Sequence, residues 1–450
     1  MNDTYQFDMV IAGMGQTGLS CARFLADRGI SFAMTDSRES PPMLDTIRHE
    51  FAGIVTCPGG LDEELLLHAG TILLSPGISP DEPALKAARQ AGVEMFGDVE
   101  LFCRHAHAPL VAITGSNGKS TVTTLVAEMA RAAGRKTAVG GNVGTPALDL
   151  LQQQGTEIFV LELSSFQLET LVSLNAIAAV VLNISEDHMD RYDNLQSYAR
   201  AKERIYQGNG IMVLNRDDPL VMAMRQPHRN AVTFGLDEPV AADYGVVTDG
   251  DRHWLVCGDD RIIAADELLI SGAHNLANAL AAIALADVLQ LPRENICNVL
   301  RTFPGLPHRC QWVADINGVR WINDSKGTNV GATCAAVKGL ANNRNIVLLA
   351  GGDGKGADFS ALARIAQEHL RTAILIGRDA PRIRQVLDAH VPVIDAIGLP
   401  EAVQAAAEVA HAGDIVLLSP ACASLDMFAD YCERGNVFSR AVHALVKAYD

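Results

Sequence analysis

The apolar positions fall in short uninterrupted runs, each ended by a glycine turn and followed by a mixed segment long enough for a helix. Asp8-Met9-Val10-Ile11-Ala12 is the first such run, Gly13 to Gly18 the turn, and Leu19 to Gly29 the helix that follows. A continuous apolar run bounded by turns is expected for a strand buried on both faces, as in a parallel sheet. Further strands are expected at Ser31 to Met34, Gly53 to Thr56 and Thr71 to Ser75, and this first unit ends near Gly97. A second unit has strands at Leu110 to Thr114, Ile158 to Leu163, Ala178 to Asn183 and Ile211 to Asn215. Short strands and turns fill Val232 to Ala265, with hairpin turns expected at Asp249-Gly250-Asp251 and Gly258-Asp259-Asp260. The alanine-rich helix Leu276 to Leu289 closes that unit. A linker near Pro304-Gly305-Leu306-Pro307 leads to a third, with strands at Asn345 to Ala350, Thr372 to Ile376, Val391 to Ile394 and Asp414 to Leu418. Alternating strands and helices make this an α/β chain. Three domains are expected, at residues 1–97, 98–304 and 305–450.

Composition narrows the function. Three domains suit 450 residues, and 48% apolar against 20% charged residues leaves material for several cores. The net charge of -17, from 36 Lys and Arg against 53 Asp and Glu, argues against nucleic acid as a partner. Any anionic ligand must then be held locally, by helix N-termini, placed cations or metal ions. Nine cysteines without a C-x-x-C pair read as free thiols, most simply small buried hydrophobes, in a reducing cytoplasm. The start, Met1 to Asp8, has no basic leader, and no apolar run is long enough for a membrane span, so a cytoplasmic protein is expected.

The sharpest chemistry lies in Thr114-Gly115-Ser116-Asn117-Gly118-Lys119-Ser120-Thr121, directly after apolar Pro109 to Ile113. A strand, a glycine turn and a helix headed by Lys-Ser-Thr point backbone N–H groups, a helix N-terminus and an ammonium at one spot, which suits nucleotide phosphates. The hydroxyl after the lysine would hold Mg²⁺. The general phosphate loop has a glycine where this chain has Ile113, so the form here is shortened. Glu162, ending an apolar run that follows the loop, is placed to coordinate Mg²⁺. Glu186-Asp187-His188-Met189-Asp190-Arg191 adds oxygen and nitrogen donors at the same sheet edge. There His188 reads as a metal ligand, with a solvated acidic loop as the plain alternative. In the first unit, Gly13-x-Gly15-x-x-Gly18 with Asp36 fits a dinucleotide fingerprint, or a purely structural glycine turn. Asn323 to Asn329, Gly351-Gly352-Asp353-Gly354-Lys355 and Ser419 to Ser424 are polar loops that would line one face of the third unit.

Taken together, Thr114 to Thr121, Glu162 to Glu169, Asn183 to Asp190, Leu306-Pro307-His308-Arg309, Asn323 to Asn329 and Ser419 to Asp426 resemble the Mur ligase family, over essentially the whole chain. The family's short Thr-Gly-x-x-Gly-Lys-Ser/Thr loop accounts for Ile113. The resemblance implies a Rossmann-like N-terminal domain, a central P-loop ATPase-type parallel sheet with a small antiparallel subsheet, and a Rossmann-like C-terminal domain. It also implies ATP-dependent addition of D-glutamate to UDP-N-acetylmuramoyl-L-alanine, and the Asp-Asn-Pro-Arg signature of relatives that add a diamino acid is not found in this sequence.

The resemblance reassigns the first glycine turn from a nicotinamide to the UDP moiety, with Gln16, Thr17, Asp36, Ser37, Arg38 and Gly77 as contacts. Asn142, Ser164, Gln167 and His188 would hold the muramoyl-alanine part. Gly115, Ser116, Asn117, Gly118, Lys119, Ser120, Thr121, Asn278, Arg309 and Asp324 would serve ATP. Ser120, Glu162, His188 and Lys202, the last as a carbamate, would bind two Mg²⁺ ions. Lys326, Thr328, Lys355, Ser424, Leu425 and Tyr431 match the D-glutamate region. Lys119, Glu162, His188 and Lys202 form the implied catalytic set, in a monomer with small-molecule substrates and neither nucleic acid nor membrane as partner. Read from its own neighbours, Tyr198 to Tyr206, Lys202 is instead a solvated lysine on an amphipathic helix.

Overall fold

The computed structural model describes residues 7–270 and 272–449, so Met1 to Gln6, read above for a leader, and Asp450 of the third unit lie outside the described residues. Three sheets carry the fold. The first is wholly parallel, in the order Thr56–Pro58, Phe32–Asp36, Phe7–Ala12, Ala69–Leu74, Glu94–Gly97. The third runs Gln311–Ile316, Val319–Asn323, Ile415–Leu418, Ile346–Gly351, Leu370–Ile376, Val393–Asp395, and only its first pair is antiparallel.

The middle sheet has nine strands: Asp260–Ala264, Arg252–Cys257, Tyr244–Asp249, Ala231–Phe234, Ile211–Asn215, Ala178–Val181, Leu110–Thr114, Ile158–Glu162 and Thr137–Gly141. The two expected hairpins are present, and their antiparallel strands form the small subsheet at one edge of this sheet. They join the parallel strands through the pair Phe234 and Tyr244.

The strand order places the site. In the first two sheets a strand adjoins one whose connection leaves in the opposite direction, Phe7–Ala12 beside Ala69–Leu74 and Leu110–Thr114 beside Ala178–Val181, and in the third Ile415–Leu418 is inserted last, between the chain-consecutive strands Val319–Asn323 and Ile346–Gly351. Loops leaving the carboxyl ends of such strands diverge and open a crevice. The glycine turn at Gly13, the loop Gly115 to Gly118 and the loop Ser419 to Ser424 leave Phe7–Ala12, Leu110–Thr114 and Ile415–Leu418 in turn. Behind the middle crevice, helix Lys119–Ala132 presses Val122, Leu125, Val126 and Met129 into a core shared with helix Ala273–Val288. A loop set on this packed base is held still.

Ser20 ties the first unit to the second, its Oγ donating to Asp149 Oδ1 at 2.5 Å. Between the second and third, Arg309 donates to Ser120 Oγ at 2.7 Å, Asn329 Nδ2 to Asn117 Oδ1 at 3.2 Å, and Lys355 Nζ to Asp187 Oδ1 at 3.0 Å. The third unit is closed onto the phosphate loop. Among the described residues no helix is long and apolar enough to cross a membrane, and all nine cysteines are free, Cys21, Cys297 and Cys422 fully buried and the rest partly so.

Candidate active site

The phosphate loop is built on Gly118, whose φ of +83° lies in the left-handed region open to glycine. A side chain there would also collide with the Asn278 amide, which packs against the turn. The loop is pinned from below, Thr114 Oγ1 donating to Leu163 O at 2.7 Å and Asn183 Oδ1 accepting from Asn117 N at 2.8 Å. Lys119 bends back to donate to the carbonyls of Gly115 and Ser116 at 2.9 and 3.0 Å. Burial lowers the pKa of its ammonium, with Glu162 and Asp187 opposing. A cation held on two carbonyls, without a carboxylate of its own, is free to turn to a phosphate.

Glu162 lies at the carboxyl end of its strand, 2% exposed, and is no strand-end residue facing water. Ser120 Oγ donates to its Oε2 at 2.6 Å and Asn142 Nδ2 to its Oε1 at 2.8 Å. Nearby, Asp187 is mostly buried. Burial works against its charge, but Lys355, His188 and Lys119 outweigh it and hold the carboxyl below its usual range. His188, held at a φ of +58° and edge-on to Phe166, is pushed down to about 4, chiefly by burial. Its imidazole is neutral near pH 7, the form that can ligate a metal. The loop is thus a built part of the site and not a solvated acidic loop.

The structure overturns the solvated reading of Lys202. It is 1% exposed, with Nζ 2.9 Å from Gly115 O and 4.6 Å from the centre of the Tyr198 ring. The helical period misled because the lysine lies on the buried face, beside Tyr198, Ala199 and Ala201. Burial, and then Lys119, press its pKa well below the ordinary value.

The third unit covers these groups. Asp324 is buried, accepts from Ser419 Oγ at 2.7 Å and Cys310 N at 3.1 Å, and is raised by burial to about 6. Lys326 lies over the Tyr431 ring at 4.2 Å and is lowered by burial, Arg309 and Lys119 to about 8. The fully buried Arg434 donates to Ser325 O at 2.8 Å, Ser325 Oγ at 3.0 Å and Cys422 O at 3.0 Å, and so locks two of the polar loops together.

Three clefts result. One, of about 500 Å³, is lined by Gln16, Thr17, Asp36, Ser37, Arg38 and Gly77 with Asn142, Ser164 and Gln167. A second, of about 390 Å³, brings Lys119, Ser120, Glu162, His188 and Lys202 against Lys326, Thr328, Lys355, Ser424, Leu425 and Tyr431. A third, of about 350 Å³, contains Gly118, Thr121, Asn278, Arg309 and Asp324. The first two share Asn142, Ser164 and Phe166, and the last two share Asn117, Gly118, Arg309 and Lys326, so the three are one track. Every residue given a binding or catalytic role by the family resemblance lines this track except Gly115, whose carbonyl is bonded to Lys119 and Lys202.

Sequence reasoning missed Phe234, His274 and Asn275 in the third cleft and Tyr198 in the second. His274-Asn275, just inside a helix start after Gly272, was a legible signal. Arg434 stands in helix Tyr431–Tyr449 without any motif around it.

Comparison with known proteins agrees with this layout. Residues 7–97 match the model of the Mur ligase MurD-like N-terminal domain, 113–286 the Mur ligase middle domain, and 308–422 the Mur ligase glutamate ligase domain. Proteins named UDP-N-acetylmuramoylalanine--D-glutamate ligase are 51% identical in Nitrosococcus oceani, over 97% of this chain and 96% of that protein, and 53% identical in Methylococcus capsulatus, over 97% and 95%. Among solved structures, the UDP-N-acetylmuramate-alanine ligase MurC of Thermotoga maritima has the same fold, with a TM-score of 0.60 at 18% identity over 98% of this chain and 100% of that one. MurF of Acinetobacter baumannii gives a TM-score of 0.59 at 17% identity over 93% and 89%. With three family domains in order along one chain and relatives above half identity across nearly its whole length, this protein belongs to the Mur ligase family.

Proposed function

We propose that the protein is an ATP-dependent ligase that joins D-glutamate to the alanine carboxylate of UDP-N-acetylmuramoyl-L-alanine, in cytoplasmic peptidoglycan precursor synthesis. The observation that carries this reading is the single track through three domains, with a phosphate loop at its middle. A ligase must bring an acid, a nucleotide triphosphate and an amine to one point, and a linear track with a phosphate site between two ends suits that task. Residues 1–97 would hold the UDP moiety, 98–304 ATP, and 305–450 D-glutamate. The names carried by its half-identical relatives support the same substrates.

The alanine carboxylate would attack the γ-phosphate of ATP to give an acyl phosphate and ADP. The neutral D-glutamate amine would then add to the acyl carbon, and phosphate would leave, taking up the proton that the nitrogen loses. Both attacking and transferred groups are anionic in the first step, so catalysis rests on positioning and on positive charge. Lys119 would swing from the two loop carbonyls to the β- and γ-phosphates, and Arg309, already against Ser120, would flank them from the third domain. Asn142 and Ser164, shared by the first two clefts, would hold the alanine end, and Asn278 and Asp324 the nucleoside. Lys326 and Lys355 with Thr328 and Ser424 offer two cations and two hydroxyls, suited to two carboxylates, in a cleft that also presents Tyr431 and the exposed Leu425.

The donor set fits Mg²⁺. Glu162 and the Ser120 hydroxyl are hard oxygen donors already paired, and His188 is a neutral nitrogen donor. Among the described residues no three His, Cys, Asp or Glu side chains converge as a ready-made cage, in keeping with the habit of Mg²⁺ of using few protein ligands beside phosphate. Two ions would be held by Ser120, Glu162, His188 and Lys202 as a carbamate, and when bound they supply Lewis-acid stabilisation of phosphate charge. The lowered pKa of Lys202 makes available the neutral amine that carbamate formation needs.

ADP release measured with UDP-N-acetylmuramoyl-L-alanine should require D-glutamate. Equal rates with L-glutamate or lysine would overturn the assignment.

A further inference from the structure

Helix Val330–Leu340 of the third domain carries a glycine near each end, Gly331 and Gly339, and at both a residue of the central domain comes up against the helix backbone. A Cβ on Gly331 would stand 2.7 Å from Ser185 Oγ and 2.8 Å from Ser185 Cβ, closer than atoms pack. A Cβ on Gly339 would stand 3.3 Å from His274 Nδ1 and 3.7 Å from Gly272 Cα. Asn329, which caps the helix by accepting from Ala332 N at 2.8 Å, also donates to Asn117 Oδ1 of the phosphate loop at 3.2 Å. Between the two glycines, Ala332, Ala335 and Ala336 form one wall of the third cleft, and Asn278 and His274 belong to the facing domain.

Glycine is a poor helix former, and nothing in the helix itself calls for one at either position: neither has a left-handed φ. Both are explained by what they face. We propose that Gly331 and Gly339 are positioning residues that set the width of the nucleotide cleft, letting Ser185 and His274 seat on the helix backbone so that its alanine wall stands at the distance a bound nucleotide requires. The inference rests on the nucleotide reading of that cleft.

The test is Gly331→Ala, with Gly339→Val as an independent second variant. Affinity for the ATP analogue AMP-PNP is followed by calorimetry, KM for ATP by ADP release, and thermal midpoint by circular dichroism. A helix with no partner to respect gains stability when an interior glycine becomes alanine. A glycine kept only by chance therefore predicts a raised midpoint and unchanged binding. The width-setting role predicts roughly tenfold weaker AMP-PNP binding and a matching rise in KM for ATP in each variant, since this is the size of effect a displaced wall produces when a contact worth about 1.4 kcal/mol is lost. Binding of UDP-N-acetylmuramoyl-L-alanine, whose cleft lies in the other two domains, should not change. Adding Ser185→Gly to Gly331→Ala should recover most of the affinity, because it removes the atoms that the new methyl meets. Wild-type binding by both variants overturns the inference while leaving the nucleotide reading in place. Failure of the wild-type protein itself to bind AMP-PNP removes that reading and the inference with it.

Discussion

Two glycine turns in this chain start alike and end differently. Gly13 to Gly18 and Gly115 to Gly118 each follow a buried parallel strand at the point where its sheet reverses strand order, and each opens a helix. In the first, the acid that a dinucleotide fingerprint would aim at a ribose is already committed. Asp36, 1% exposed, accepts from Met14 N at 2.7 Å and from Arg38 Nε and Nη2 at 2.9 and 2.7 Å. Burial opposes its charge, but those bonds outweigh it and lower its pKa. In the second, a lysine follows the turn and rests on carbonyls. On the proposed function, a shared backbone device would supply anion affinity at both turns, and the charges around it would decide whether the anion is merely held or is made to react.

The comparison breaks first if the lysine is dispensable. Lys119→Ala should lower turnover on the order of 10³-fold, the scale of a lost charge on a transferring phosphoryl group. Affinity for the UDP substrate, measured by calorimetry, should stay near wild type because its cleft is built from other residues. Wild-type turnover would leave the second turn no different in kind from the first.

Next in size is Lys202→Ala, expected to lose on the order of 10²-fold in rate and to regain part of it in formate or acetate, which can stand where a carbamate would. Because the side chain is wholly buried, the thermal midpoint must be read alongside. A folded variant with full activity in CO₂-depleted buffer would remove the carbamate role. Asp36→Ala acts on the first turn and should raise KM for the UDP substrate roughly tenfold, since it frees Arg38 and orphans the Met14 N–H, a loss of about 1–3 kcal/mol. KM for ATP should not move. A change in KM for ATP of the same size would mean that the two turns are coupled and not independent.

How much of this was legible beforehand differs between strands and side chains. Leu110–Thr114 and Ile211–Asn215 fall where the apolar runs put them, because a strand buried on both faces has no polar positions to blur its ends. Thr137–Gly141 escaped notice: it is an edge strand of alternating exposure ending in two glycines, without a run to announce it. The expected strand at Gly53 to Thr56 forms later, at Thr56–Pro58. The hairpin Gln311–Ile316 with Val319–Asn323 was missed although Asn317-Gly318, both at positive φ, carries the usual sign of a tight turn. At the site, loop residues were readable from motifs, whereas Lys202 was misread on its own evidence because amphipathic period reports which positions share a face and not which face is buried. His274, Tyr198 and Arg434 act through contacts across elements far apart in the chain, which no local pattern encodes.

The smallest effect expected concerns a second buried acid on the first turn's side of the molecule. Asp98 heads helix Asp98–His105 at the joint between the first two domains, is 3% exposed, and leaves its Oδ1 without a hydrogen-bond partner. Burial lifts it to about 6, against bonds from Val99 N–H and Gln167 that pull the other way. Asp36 is as little exposed and yet lowered, because it sits in a shallower place and the Arg38 guanidinium and the Met14 and Arg38 N–H groups bond it, whereas Asp98 is deeper and, among the described residues, has no such cation. Since the folded pKa of Asp98 exceeds its unfolded value near 3.8, its contribution to stability is full below pH 4 and is lost as pH rises through about 6. At about 1.4 kcal/mol per pH unit, the loss is at most about 3 kcal/mol. Asp98→Asn does not titrate. Its stability relative to the wild type, from urea unfolding, should therefore rise between pH 4 and pH 7 whatever fixed offset the amide brings, while turnover with all three substrates stays within about twofold, the scatter of changes that touch no substrate contact. A stability difference that is flat across that range would mean that Asp98 is ionised in the folded protein as Asp36 is, and that a cation or a solvent path reaches this joint as Arg38 reaches the first turn.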